Sequence, residues 1–331
     1  MGSDAVSTSL NLTAIRKIDA GEPIFAAHSF GETIALILGE AILLVCQAGE
    51  KRCEPHSGAI LASCANQRGL LTGGDDGKVV LTNPLGASRT IAADAKRRWI
   101  DHVAFGNDAV AWSSGRHVFL TRAAGENYNI EVPGSVGGLA LVSSSPRVVV
   151  AHNNGLTLWS PTEDNSVQTW AGPGANATPV VSPEGDLVAT ALHEPGMRLW
   201  RLSDGAMMPL SGYTERVRSF TWTVDGAYLA TSGAERVILW PAPEAGSRLY
   251  AVPLLVAPSR APSVAVAAHP REAFIAAGYA DGLVLLVRLT DAAELVMKHP
   301  DGSSVSALLW TAAGALAIAS ENGSARVIEF G

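Results

Sequence analysis

The residues able to carry chemistry fall into three groups. His152 and His193 each stand seven residues before a tryptophan, Trp159 and Trp200, with Glu194 beside the second. Two imidazoles at one rim are the start of a metal site. Structural sites usually take three or four protein ligands, however, and a turn histidine bonds readily to local backbone. His152 and His193 are therefore the metal candidates, but no metal is favoured and no cofactor is expected. Cys46, Cys53 and Cys64, with His56 among them, form the second group. Cys46 and Cys53 would lie on successive strands, which allows a cross-strand approach. Their spacing is that of neither a zinc ribbon nor a zinc finger, and free cysteine is often a small buried apolar residue. The third group is cationic and aromatic: Arg97, Arg98 and Trp99, then Tyr213, Glu215, Arg216 and Arg218, then Arg260. Arginine, tryptophan and tyrosine are the residues enriched at interface hot spots. No Gly-x-Ser-x-Gly elbow, phosphate-cradling Gly-x-x-x-x-Gly-Lys, His-Glu-x-x-His or dinucleotide fingerprint occurs. A β-turn is enough to explain the adjacent carboxylates of Asp75 and Asp76. The residues point to binding without catalysis.

What must position these residues is a repeat. Short runs rich in Val, Leu and Ile recur in threes, as in "SPEGDLVATALHEPGMRLWRLSDG" and "TVDGAYLATSGAERVILW". The first strand of each unit begins near Ile24, Ala59, Trp99, Val136, Asn176, Arg216, Pro262 and Ser304. The resulting period of about 40–45 residues is that of four-stranded propeller blades. Asp76-Gly77, Asp225-Gly226, Asp281-Gly282 and Asn322-Gly323 supply the left-handed positions that tight hairpins need. A more polar fourth strand follows seven of the units, for example "SRTIA" and "ELVMK", and "YAVPL" in the sixth. The last unit runs out at Phe330 and Gly331. Its missing strand is expected from residues 9–18, "SLNLTAIRKI", with residues 1–8 flexible. Closing a ring in this way removes exposed sheet edges. The expectation is a single all-β domain over residues 1–331, an eight-bladed β-propeller of four-stranded antiparallel blades, with seven blades as the alternative.

These units resemble WD repeats. "SPEGDLVAT…MRLW" is similar to that family's first turn and Leu-Trp strand end, and "LTLW" and "VILW" repeat the ending. The Trp-Asp dipeptide itself is absent: Trp159, Trp200 and Trp240 are followed by Ser160, Arg201 and Pro241. The resemblance implies a buried network of a histidine, a second-strand Ser or Thr and a turn Asp. Only His56, Thr72 and Asp76 can rebuild it, so the other units are expected to rely on apolar packing and turns. It also implies a scaffold that binds another protein through one face, with Arg98, Trp99, Tyr213, Glu215, Arg216, Arg218 and Arg260 on the loops leading into the first strands. An accessory protein that uses its rim histidines for a metal or small ligand is the alternative, and an unrecognised propeller enzyme a weaker one.

Composition narrows the partners. Hydrophobic residues make up 47% and charged residues 17%, enough for a long continuous core. The net charge of −7 argues against nucleic acid, since Lys96-Arg97-Arg98 is the one dense basic run. No stretch is long and apolar enough for a membrane helix, and no secretory signal is evident. Three cysteines fit a reducing cytoplasm. The expectation is a monomeric, cytoplasmic, bacterial protein that binds neither membrane nor nucleic acid.

Overall fold

The computed structural model describes residues 12–106, 108–142, 145, 147–161, 165–244 and 246–331. Every regular element among them is a β-strand, and neighbouring strands pair antiparallel. The second strand of each unit is mostly apolar, because sheets cover both of its faces. Thr33–Ile37 and Leu187–Leu192 are buried along their whole length, whereas the outer strand Ser88–Ala93 is mostly exposed. The chain is a β-propeller. In its first blade the order is Ala26–Phe30, Thr33–Ile37, Ile42–Cys46 and Gly49–Cys53.

The strand expected to close the ring does so. Leu12–Asp19 pairs antiparallel with Ser324–Phe330, from Leu12 opposite Phe330 to Asp19 opposite Ser324. It completes the four-stranded sheet begun by Val305–Trp310 and Leu316–Ser320. Residues 1–8, and 9–11 of the expected strand, lie outside the described residues.

Counted as hydrogen-bonded sheets, there are seven blades among the described residues, which corrects the expectation of eight. Six sheets have four strands. The fourth and fifth repeat units share one six-stranded sheet from Val136–Leu141 to Met207–Leu210. The cause is two unusually long strands, Val148–Ser160 and Ser166–Val181. Residues read as turns there are themselves bridged: Asn153 faces Ala175 and Gly155 faces Ala171. Asn154 turns the chain with φ 69° without breaking the strand. The break before the unit start near Asn176, on which the count rested, is absent as well, because Ser166–Val181 runs straight through it.

A second difference lies in the sixth unit. Its outer strand is Leu254–Val256, and not the expected run from Tyr250 to Leu254. Pro253 has no N–H to donate to the ladder, so pairing starts only after it. The turns at Asp76-Gly77 and Asp225-Gly226 form as expected, with Gly77 at φ 76° and Gly226 at φ 69°.

Apolar clusters fill the gaps between successive repeat units. Trp159 closes the gap between the third and fourth, Trp200 that between the fourth and fifth, and Trp222 and Trp240 that between the fifth and sixth. Ile18, Ile24 and Leu36 pack on Leu309 and Ala317, so the last unit meets the first through the same kind of core. At one end of the ring, backbone bonds stitch the start of several units to a turn of the unit before. Ile60 N donates to Gly39 O (2.7 Å), Ile100 N to Gly74 O (3.1 Å), Val136 N to Gly115 O (2.9 Å) and Ser263 N to Ala234 O (2.8 Å). This end carries the leading loops.

A candidate binding face and the cavity within it

The loop of residues 94–99 is held by a residue the sequence reading did not single out. Asp94 is buried, and its carboxylate accepts bonds from the backbone N–H of Lys96 (2.9 Å) and Arg98 (3.1 Å). The Arg98 guanidinium adds a forked pair, with Nη2 at 2.7 Å and Nε at 3.2 Å from Asp94 oxygens. The chain turns through Arg97 at φ 55°, a left-handed conformation that costs a non-glycine residue strain. Two neighbours then part: Ile100 is fully buried, while Trp99 is 63% exposed. Trp99 thus stands in solvent on a fastened loop. Its only sequence signal was an Asp placed four residues before an Arg.

The Arg98 side chain is the main reason that the Asp94 carboxyl is held down to about 2, with the two backbone N–H groups helping against burial. Because its folded pKa lies below the unfolded value of about 3.9, Asp94 contributes stability that is fully present above that value. The contribution is lost as pH falls through the folded pKa. In Asp94→Asn, the deficit in urea midpoint relative to the parent is expected to be largest near pH 7 and to vanish as pH approaches about 2. A deficit that stays constant with pH would show that the carboxylate charge is not what fastens the loop.

Glu215, Arg216, Arg218 and Arg260 are all exposed and make no ion pair among the described residues. Tyr213 differs from the role expected for it. Its hydroxyl is turned inward, donating to Thr231 Oγ1 (3.1 Å) and accepting from Trp240 Nε1 (2.8 Å). Burial pushes its phenol up to about 12, so it stays protonated.

Tyr213 is one of a series of interior polar networks. The expected one in the second unit is formed: His56 Nε2 meets Thr72 Oγ1 at 2.8 Å, and His56 Nδ1 meets Asp76 Oδ1 at 3.0 Å. The expectation that other units lack such networks is corrected. In the fifth, Trp200 Nε1 donates to Thr190 Oγ1 (3.0 Å), and Arg198 Nη1 donates to Asn176 Oδ1 (2.7 Å). In the seventh, buried Lys298 donates to Gly282 O (3.0 Å) and pairs with Asp301 (2.7 Å). The residue types change from unit to unit, while the demand that buried polar groups be paired does not.

The two rim histidines do not act together. His152 is 2% exposed and both ring nitrogens are engaged, Nε2 by Thr157 Oγ1 and Nδ1 by Asn153 O, each at 2.9 Å. His193 is exposed. Equal spacing to a tryptophan did not give equal places, because Asn153 and Gly155 are bridged into the long strand whereas His193 lies in an open bend. Among the described residues, no group of three His, Cys, Asp or Glu side chains is placed to hold a metal ion. Cys46, Cys53 and Cys64 are free thiols. Cys46 faces Gly49 and Cys53 faces Ile42, at opposite ends of one hairpin, so they do not approach each other.

A cavity of about 830 Å³ lies at the centre of the ring, between inner strands of distant units. Phe25, His28, Thr178, Arg218, Val264 and Ser306 contribute to its wall. His28 Nε2 is tied to Ser63 Oγ at 2.8 Å, and burial lowers its pKa to about 4, leaving it neutral.

No family model matches this chain, and no curated protein matches it. Solved structures do, 1730 chains in all, so the likeness identifies an architecture shared by many proteins. One is the crystal structure of the computationally designed Ika8 protein. It is 14% identical, covers 96% of this chain and 99% of its own, and has a TM-score of 0.74.

Proposed function

We propose that this protein is a non-catalytic propeller of the WD-repeat type that holds another protein against its leading-loop face. The observation that carries the reading is Trp99: a large aromatic side chain, 63% exposed, on a loop fixed by the buried Asp94. Burying an indole that size on a partner is strongly favourable, and little ordering cost remains once the loop is already fixed. Exposed Glu215, Arg216, Arg218 and Arg260 stand on the leading loops of later units, so the same end of the ring also offers polar side chains of the kind found at an interface rim. In this reading the chain works as a monomer in a bacterial cytoplasm, where free thiols such as Cys53 stay reduced.

The test is affinity capture from the native lysate with the parent chain and with a Trp99→Ala, Arg216→Ala double variant. Both side chains are exposed, so the variant keeps its fold. The parent is expected to retain a partner that the variant loses by about tenfold or more, the usual effect of removing a hot-spot anchor. The same proteins on both baits would overturn the reading.

A further inference from the structure

We propose that the central cavity binds a small zwitterion of amino-acid or dipeptide size with an apolar side chain. Its volume of about 830 Å³ falls within the range of pockets that enclose small ligands. Two charged side chains line it, Arg218 and Glu321, and among the described residues neither has an ion-pair partner or bonds to the other. A pair of opposite, unpaired charges in one cavity suits a molecule that carries a carboxylate and an ammonium.

A second, independent observation is Ser306. It lines the same cavity, and its hydroxyl is buried without any hydrogen-bond partner. Buried hydroxyls are normally paired, and the free energy lost at this orphan is returned if the side chain rotates its oxygen, now turned away from open space, toward a ligand atom in the cavity. Ser219, by contrast, is satisfied: its Oγ donates to Val266 O (3.2 Å) and accepts from Val266 N (3.0 Å). Much of the remaining wall is apolar, with Phe25, Val264, Ala265, Ala307 and Leu308 beside the polar His28, Thr178 and Ser304. Such a surface favours a hydrocarbon side chain over a second polar group. Phe25, 65% exposed, stands among these residues as a further apolar contact.

Isothermal calorimetry on the whole chain tests this, with leucine and leucyl-leucine as probes. Leucinamide lacks the carboxylate and N-acetyl-leucine lacks the ammonium. The expected result is saturable binding of one probe per chain for leucine or leucyl-leucine. Arg218→Gln should weaken it about tenfold or more, and Glu321→Gln should do the same, the usual effect of removing a charge-assisted bond. Arg218→Gln should leave leucinamide unaffected, and Glu321→Gln should leave N-acetyl-leucine unaffected. Both replaced side chains are exposed and unpaired, so the fold is kept. No saturable binding of either probe, or binding indifferent to both substitutions, would overturn the inference. The measurement needs no protein partner, so its failure would leave the platform reading standing.

Discussion

Trp200→Ala will destabilise the protein by about 3–5 kcal/mol, the range for removing a large aromatic side chain from a packed core. Trp200 is fully buried. It packs with Val142, Val149, Leu156 and Leu158 of the fourth repeat unit and with Val188 and Leu202 of the fifth, so its ring fills the space between two units. The surroundings cannot collapse into the void, because the backbone on both sides is locked in the six-stranded sheet. A polar loss adds to the cavity. Without the indole N–H, Thr190 Oγ1 keeps only its long 3.5 Å contact to Asn176 Oδ1. Trp200→Phe should cost less, since it keeps much of the volume and loses only the donor. The same packing makes Gly172→Ala damaging, because a Cβ there would stand 2.4 Å from the Trp200 ring. Urea unfolding of the three variants would measure this ranking. A Trp200→Ala loss below about 1 kcal/mol would mean that this gap is not close-packed.

Deleting residues 1–19 will have an effect of the same order through a different route. The lost strand pairs at seven positions with Ser324–Phe330. At a net 0.5–1.5 kcal/mol for each hydrogen bond, the pairing contributes on the order of 5 kcal/mol. The deletion also takes Ile18 out of the closing cluster. It removes the Arg16 guanidinium, which bonds Cys46 O at 2.6 Å and Glu50 at 3.1 Å and so ties the last sheet to the first. Val327, Ile328 and Phe330 would then lie on an open edge, the kind of surface that recruits other chains. The truncated protein is expected to unfold at lower urea and to run as oligomers on size exclusion. A synthetic peptide of residues 9–19 should restore the monomer. A truncated chain that stays monomeric and equally stable would show that the ring does not depend on this strand.

Much of this architecture was legible because it rests on local chemistry. A strand-like run far ahead of the first unit, together with a last unit one strand short, was enough to pair Leu12–Asp19 with the C-terminus. Asp-Gly pairs announced their hairpins, since glycine adopts positive φ without a steric penalty. What was not legible depends on relations between distant residues. Whether Asn153 ends a strand is decided by Ala175 across from it, and no local pattern reports that. The interior networks were hidden for another reason. A search for histidine, threonine and aspartate found only His56, Thr72 and Asp76. The physical requirement is a matched donor and acceptor, and Tyr213 with Trp240, or Arg198 with Asn176, meets it equally well. Asp94 was missed for a related reason: two of its donors are backbone N–H groups, which every sequence contains, and an Asp four residues before an Arg is too common a pair to stand out.

That diversity of interior networks bears on how the ring assembles. A chain of near-identical modules can dock its pieces in the wrong order or exchange them with a neighbouring molecule, since each interface would fit every other. Here the networks travel with their own units: Lys298 finds both Gly282 and Asp301 in the seventh, Trp200 finds Thr190 in the fifth, and His56 finds Thr72 in the second. A unit therefore pairs these buried polar groups by itself, and what it meets across the gap is mainly apolar surface. The ring can then grow one unit at a time, each docking as a piece whose polar interior is already closed.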